Sequence, residues 1–280
     1  MEEITTYVLR NGIRLPKLCV GTNRMNKRLL GEVVPAAIRS GLRFFDSAQA
    51  YGNEDLVGAA IKAAIDEKGL SRGEIFITTK VDNSRQVGRD MRRELDISLR
   101  KLQMDYVDLW LQHWPYPDYF IDNFRQMEEL LASGKVKSIG IANPRIRHLQ
   151  ELYDTIGLLP HIIQIELHPF RQVPELLSYC QEHRIQVAAY SPLCFMIDRL
   201  RYNPLLMELG GKYGKSVGQI VLRWHLQRGV LPVFRSEKAT RFAENANVFD
   251  FALGEDDMNR ISTLDEDYKF IPESLHCPGY

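Results

Sequence analysis

The feature that most constrains the fold is an alternation of short apolar runs and helix-like segments, repeating about every 30 residues. Eight runs are predicted as strands: 17–21, 43–46, 75–79, 106–112, 136–142, 162–167, 186–190 and 231–234. Eight strands that alternate with helices are typical of a (β/α)8 TIM barrel, and 280 residues suit one such barrel. We therefore predict an α/β fold and a single barrel domain over residues 1–280.

The segments at the two ends of the chain are predicted to pack against opposite ends of this barrel. Residues 6–9 and 13–15 flank Asn11-Gly12, a strong signal for a β-hairpin, which we expect to plug the bottom of the barrel. The tail, residues 266–280, contains two prolines and has no periodicity. We expect this C-terminal tail to lie on the substrate side of the barrel.

Composition limits the class of partner. Lysine plus arginine and aspartate plus glutamate both number 36, which argues against nucleic acid or a membrane surface as the main partner. No signal peptide and no membrane-spanning run is expected, because the N-terminus is acidic and no apolar run approaches about 20 residues. The four cysteines lack metal-ligand spacing, so we expect no metal site and a cytoplasmic protein with reduced thiols.

Three neighbouring strands are each predicted to end at one titratable residue: Asp46, Lys80 and His113. Tyr51 lies on the loop that follows the first of them. The carboxyl ends of barrel strands form the rim that carries the chemistry in this architecture. Because adjacent strands are about 4.8 Å apart, we expect the three side chains to lie within about 10 Å of each other.

These residue types suit proton transfer to a carbonyl oxygen. A tyrosine has a pKa of about 10, and we expect the neighbouring ammonium of Lys80 to lower the pKa of Tyr51. A carboxylate at Asp46 would keep Lys80 charged and oriented. His113 would donate a second hydrogen bond to the developing oxyanion.

The same residues and their surroundings resemble the aldo-keto reductase family, through the segments FDSAQAYGNE, ITTK and LQHWP. Asp46, Tyr51, Lys80 and His113 fall on the family's catalytic tetrad in order and spacing. The resemblance extends over about residues 10–265. It implies an NADPH-dependent enzyme that reduces an aldehyde or ketone to an alcohol by hydride transfer, with Tyr51 as general acid. It also favours a monomer.

No G-x-G-x-x-G motif follows a strand, so a nicotinamide site must be built from barrel loops. For the nicotinamide half, the resemblance implies Asn143 and Gln164 at the carboxamide, Tyr190 stacked on the ring, Ser191 and Leu193 at the pyrophosphate, and Thr22 and Asp46 beside the nicotinamide. For the other half, it implies Arg235, Ser236 and Arg241 at the 2′-phosphate, and Glu244 and Asn245 at the adenine. Two arginines favour NADPH over NADH, because guanidinium groups bind phosphate by bidentate contacts.

Substrate-binding residues are expected on the loops that follow the strands. The residues predicted to bind substrate are Asn23, Tyr51, His113 and Trp114, with Tyr116, Phe195 and the tail as further lining. Small aldehydes, dicarbonyls, keto-sugars and larger ketones all remain open.

Two other classes of function are also open. A Schiff-base aldolase would use a rim lysine, here Lys80, and would not need the arginine-rich segment. An NADPH-sensing regulatory protein on the same fold is the other. Ala142 and Pro144 leave room for it, because the family commonly has serine and phenylalanine at these positions.

Overall fold

The barrel is closed and consists of eight parallel strands. The computed structural model describes residues 6–272 and residue 277. The barrel strands are β3 Cys19–Gly21, β4 Phe44–Asp46, β5 Phe76–Val81, β6 Leu109–Gln112, β7 Ile139–Ala142, β8 Ile162–Glu166, β9 Gln186–Tyr190 and β10 Val230–Phe234. Each strand pairs with the next in this order, and β10 pairs with β3 to close the ring. The predicted (β/α)8 barrel is confirmed.

Helices surround the barrel and bury their apolar faces against it. They are α1 Lys27–Arg39, α2 Glu54–Lys68, α3 Met91–Leu102, α4 Phe120–Glu129, α5 Ile146–Ile156, α6 Pro174–Glu182, α7 Asp198–Arg201, α8 Pro204–Tyr213, α9 Val217–Gln227, α10 Thr240–Ala246 and α11 Glu255–Ser262. Side-chain hydrogen bonds cap the first turn of several of these helices. Ser216 and Gln219 form a reciprocal capping box at α9, and the Asn26 side chain caps α1. Within residues 6–272, no helix has the length and apolar character needed to cross a membrane.

The predicted N-terminal hairpin is present. It pairs β1 Thr6–Val8 with β2 Arg14–Pro16 in antiparallel register. Leu9 and Leu15 are buried in the cluster that fills the barrel interior, and Asn11 Nδ2 donates to the carbonyl of Lys137, 3.0 Å away. Lys137 precedes β7, so the hairpin covers the N-terminal end of the barrel, opposite the rim that carries the titratable residues.

Some predicted boundaries were wrong at this lower end. The fourth and fifth strands were expected to start at 106 and 136, but β6 starts at Leu109 and β7 at Ile139. Just before β6, the Asp108 carboxylate accepts the backbone N–H of Ile77 in β5 at 3.0 Å. A side-chain hydrogen bond therefore takes the place of a main-chain hydrogen bond between the two strands. Farther along the chain, α3 begins at Met91, where the Asp90 side chain caps it by accepting from Arg92 N.

Two helical glycines provide a matched test of the packing between the neighbouring helices α2 and α3. A Cβ at Gly58 of α2 would lie 2.1 Å from the carbonyl oxygen of Leu102, whereas a Cβ at Gly31 of α1 would meet nothing within 4 Å. We expect Gly58→Ala to lower the free energy of unfolding by about 1–3 kcal/mol through overpacking. Gly31→Ala should raise it by about 0.5–1 kcal/mol, because alanine favours the helix. Urea unfolding of both variants tests this, and equal shifts would contradict it.

Candidate active site

The four predicted tetrad residues meet at the C-terminal rim of the barrel. Asp46 ends β4, Lys80 lies near the end of β5, and His113 directly follows β6. Tyr51 lies on a single 3₁₀ turn, Gln49–Tyr51, between β4 and α2. Since β4, β5 and β6 are hydrogen-bonded neighbours, the chain order alone brings these residues to one side of the rim.

The centre of the site is the buried ammonium group of Lys80. Its Nζ lies 2.6 Å from Asp46 Oδ2, 3.0 Å from the Ser47 carbonyl oxygen and 3.2 Å from the Tyr51 hydroxyl oxygen. The Lys80 residue has no exposed surface. Three oxygen atoms therefore surround the three N–H donors of this ammonium, and one of them is the hydroxyl of Tyr51.

The pKa values of this cluster follow from burial and charge. Burial disfavours the charged form of Lys80, but Asp46 and Tyr51 together outweigh this effect and raise the pKa of Lys80. Burial also raises the pKa of Tyr51, and the opposing effect of the Lys80 ammonium does not cancel it. The expectation that Lys80 sets a lowered pKa for Tyr51 is therefore wrong, because desolvation of the phenol dominates. The hydroxyl stays protonated at neutral pH, as a proton donor requires.

Both oxygen atoms of the Asp46 carboxylate are engaged. Oδ2 contacts Lys80, and Oδ1 accepts from Gln164 Nε2 at 3.0 Å. The backbone carbonyl of Asp46 accepts from Thr22 Oγ1 at 2.8 Å. Asp46, Thr22 and Gln164, which were predicted for the nicotinamide side, thus form one connected group beneath the rim.

A second group connects His113 with the strands on its other side. The rings of Tyr51 and His113 meet edge to face, with centroids 5.8 Å apart. Asn143 Nδ2 donates to the His113 carbonyl at 3.1 Å, and the Tyr190 hydroxyl donates to Asn143 Oδ1 at 2.8 Å. Asn143 has a φ of 60°, in the left-handed region that asparagine tolerates better than most residues. This backbone geometry turns the chain at the end of β7 towards the site.

Gln49 is a supporting residue that the sequence analysis missed. Its Nε2 donates to the Glu94 carbonyl and to Ser98 Oγ, both at 3.1 Å, and its Oε1 accepts from Asp82 N at 3.0 Å. These bonds fix the 3₁₀ turn that carries Tyr51 against α3 and the end of β5. Its only signal in the sequence is an amide side chain among small residues, two positions before the tyrosine.

The arginine-rich segment after β10 presents its charged groups close to the surface. Arg235 Nε donates to the Asn23 carbonyl at 2.6 Å, and its Nη2 lies 2.8 Å from Glu237 Oε1. Arg241 Nη1 contacts both carboxylate oxygens of Glu244, at 2.6 and 2.8 Å. The two arginines are therefore near carboxylates that an anionic ligand would have to displace.

The remaining predicted cofactor residues follow β9 and β10 along the chain. Asn245 is buried within α10, and the Ser236 hydroxyl accepts the backbone N–H of Lys238 at 3.1 Å. Ser191, with a φ of 49°, and the buried Leu193 follow β9. The predicted cofactor side chains thus lie near the C-terminal ends of four consecutive strands: the amides of Asn143 and Gln164 at β7 and β8, the Tyr190 ring at β9, and guanidinium groups after β10. This set fits a ligand with an amide at one end and phosphate at the other.

A cavity of about 510 Å³ lies next to His113, because its lining includes Trp114, which follows His113, and Asn143, which donates to the His113 carbonyl. Its walls come from the loops after β6, β7 and β8, from the end of β9, from the first turns of α5 and α6, and from the end of the chain. The lining includes Trp114, Asn143, Arg145, Glu166, Arg171, Tyr190, Asp265, Lys269 and Ile271. The expected lining by Trp114 is present, and so is lining by Asp267, Lys269 and Ile271 of the tail. The rest of that expectation falls on residues 273–276 and 278–280, which lie outside the described residues. Asn23, Tyr51, His113, Tyr116 and Phe195 are not part of this lining. Asn23 is exposed, and its carbonyl is the one that accepts from Arg235.

Comparison with known proteins agrees with this geometry. Residues 17–266 match the model of the aldo/keto reductase family. The chain is 40% identical to a glyoxal reductase of Bacillus subtilis over 95% of both chains, and 40% identical to the methylglyoxal reductase DkgA of Salmonella typhimurium over 98% of both. A crystal structure of a Bombyx mori aldo-keto reductase in complex with NADP superposes with a TM-score of 0.92, at 31% identity, over 98% of this chain and 97% of that one.

A barrel with this tetrad defines an oxidoreductase that acts on carbonyl groups. The chain belongs to the aldo-keto reductase family and is an NADPH-dependent enzyme, as the sequence predicted. The aldolase alternative finds no support in the geometry. A Schiff-base lysine needs a neutral amine, whereas the pKa of Lys80 is raised and three oxygens surround its ammonium group.

Proposed function

We propose that this enzyme reduces small, hydrophilic aldehydes and dicarbonyls, such as glyoxal and methylglyoxal, to the corresponding alcohols. The observation that carries carbonyl reduction is the buried Lys80 ammonium, which bridges the Asp46 carboxylate and the Tyr51 hydroxyl. Two relatives that match nearly the whole chain are named for reduction of these dicarbonyls. The charged lining of the cavity supports a small polar substrate over a large apolar one.

The proposed cofactor residues divide into two sets. Asn143 and Gln164 would hold the carboxamide, Tyr190 would stack on the ring, Ser191 and Leu193 would hold the pyrophosphate, and Thr22 and Asp46 would lie beside the nicotinamide. Arg235, Ser236 and Arg241 would bind the 2′-phosphate, and Glu244 and Asn245 the adenine. When bound, NADPH supplies the hydride.

The tetrad residues would handle the proton and the charge that develops on oxygen. Tyr51, kept protonated by burial, donates its proton to the carbonyl oxygen. The Lys80 ammonium stabilises the phenolate that remains, and Asp46 keeps that ammonium charged and in place. His113, whose ring meets that of Tyr51, donates a hydrogen bond to the same oxygen, and Trp114 provides an apolar wall.

We also propose a single-domain monomer that works in the cytoplasm. The free thiols of Cys19, Cys180, Cys194 and Cys277 are the state that a reducing compartment maintains. Sedimentation of the purified protein tests the monomer, and a dimer at micromolar concentration would contradict it.

A panel of carbonyl compounds tests the substrate class. kcat/KM should be highest for methylglyoxal and glyoxal, lower for a keto-sugar and lowest for a bulky aromatic ketone. The opposite order would contradict the proposal for the substrate but leave the tetrad assignment intact.

Removal of an arginine tests the 2′-phosphate site. Arg241→Ala should weaken NADPH binding by about 10- to 150-fold, since a hydrogen bond to a charged group contributes about 1.5–3 kcal/mol. The affinity for NADH, which lacks that phosphate, should change by less than about threefold. Fluorescence titration measures both, with the exposed Arg125→Ala of α4 as control. Equal losses for both cofactors would place the phosphate elsewhere.

The raised pKa of Tyr51 sets the sign of the pH dependence. Reduction needs the protonated hydroxyl, so kcat/KM should stay level from about pH 7 to the ordinary tyrosine pKa of about 10, and fall above it. Alcohol oxidation needs the ionised form and should rise over the same range. Rate profiles in both directions measure this, and a fall in reduction between about pH 7 and 8 would contradict the assignment of Tyr51.

A further inference from the structure

A buried carboxylate beside the site is not used by the tetrad. Glu166 is the last residue of β8, two positions after Gln164, and only 5% of its surface is exposed. Its Oε1 accepts the backbone N–H of Phe270 at 2.7 Å, and its Oε2 accepts that of Ile271 at 3.1 Å. A buried charge must be compensated by hydrogen bonds, and here two successive main-chain donors of the tail provide them.

The side chain of Phe270 fixes the same stretch from another direction. Its ring packs edge to face against His168, Phe195 and Tyr268, with centroids 5.4, 5.3 and 5.0 Å apart. His168 Nε2 in turn lies 3.2 Å from Glu166 Oε1. The main chain of the tail and one of its aromatic side chains are thus held by a single cluster at the end of β8.

The described part of the tail forms one wall of the cavity that Trp114 and Asn143 also line. Lys269 and Ile271 line the cavity, and Phe270 between them packs into the aromatic cluster. Glu166 lines the same cavity, as do Asn143 and Tyr190. The position of residues 269–271 therefore decides how far this wall stands from the rim.

We propose that Glu166 is a positioning residue that clamps residues 269–271 and thereby sets the width of the substrate cavity. The clamp restricts the enzyme to small carbonyl compounds and excludes bulky ones. This inference rests on the proposed function, because it assigns the cavity to the carbonyl substrate. Glu166 itself touches the tail and not the reacting atoms.

The test compares Glu166→Gln with two further variants. The glutamine lacks the charge and has one acceptor oxygen, so it cannot hold both amides. Phe270→Ala removes the aromatic contacts and leaves the carboxylate. Glu182→Gln is the control, because it makes the same substitution at the exposed end of α6, outside the cavity lining.

Hydrogen exchange gives the readout that does not depend on turnover. The amides of Phe270 and Ile271 should exchange at least about tenfold faster in Glu166→Gln than in the wild type, whereas amides of the barrel strands keep their protection. Glu182→Gln should match the wild type. Unchanged protection at 270 and 271 in Glu166→Gln would overturn the clamp.

Kinetics with two substrates test the consequence for specificity. The ratio of kcat/KM for 2-naphthaldehyde to that for methylglyoxal should rise at least about tenfold in Glu166→Gln and in Phe270→Ala, mainly through KM. NADPH affinity should stay within about twofold of the wild type. Equal losses for both substrates would overturn the specificity role, and so would lost protection with an unchanged ratio.

The two proposals fail in different ways. If the proposed function is wrong, the wild type will not reduce these carbonyls, yet the exchange difference at Phe270 and Ile271 will persist. If the clamp is wrong, the wild type will be active, and Glu166→Gln will keep both its protection and its substrate preference.

Discussion

Tyr51→Phe is expected to lower kcat for carbonyl reduction by about 10²- to 10⁴-fold, the usual contribution of a general acid. The substitution removes one oxygen atom and keeps the ring that meets His113 edge to face. Lys80 retains its bonds to Asp46 and Ser47, so the rest of the site should stay in place. NADPH affinity should therefore change by less than about twofold. Steady-state rates and fluorescence titration measure the two quantities.

The control for this variant is Tyr153→Phe, which removes the same atom from an exposed tyrosine on α5. It should match the wild type in both measurements. Loss of NADPH binding together with turnover in Tyr51→Phe would mean that Tyr51 is structural. Full activity would mean that another group supplies the proton.

The second large effect is expected from the buried ion pair. Lys80→Met leaves the Asp46 carboxylate buried without its cation, and Asp46→Asn leaves the ammonium without its anion. Loss of one partner of a buried pair costs about 3–5 kcal/mol of unfolding free energy, because the remaining charge is uncompensated. Turnover should fall by at least about 10²-fold in both variants, since Tyr51 loses its charged neighbour or that neighbour loses its orientation.

The double variant Asp46→Asn/Lys80→Met separates stability from catalysis. It buries no unpaired charge, so it should recover most of the unfolding free energy lost in the single variants. It should remain inactive, because no ammonium faces Tyr51. Chemical unfolding and rates with methylglyoxal measure both. Additive losses of stability would show that the two charges do not compensate each other, and recovered activity would show that the pair is not needed for proton transfer.

Much of the site was predictable because it depends on strand ends. Asp46, Lys80 and His113 each follow a short apolar run, and neighbouring strands of a barrel bring such residues together. The hairpin was predictable because Asn11-Gly12 requires a tight turn between two short strands. The roles of the cofactor residues came from the family resemblance and remain proposals.

Other features depend on contacts between distant parts of the chain. Glu166 is 104 residues from Phe270, and no local pattern marks it as a partner of the tail. The direction of the Tyr51 pKa was wrong because the sequence shows its charged neighbour but not its burial. The start of β6 depends on the Asp108 side chain, which takes the place of a main-chain acceptor.

The site at the C-terminal rim turns over a carbonyl compound at the expense of NADPH. The most direct measurement is the loss of NADPH absorbance when wild-type protein is mixed with methylglyoxal, with the alcohol product quantified in the same sample. We predict one alcohol formed for each NADPH consumed over many turnovers, with slower consumption of NADH. Tight NADPH binding without consumption on any carbonyl tested would contradict the account and indicate a sensor built on the same barrel.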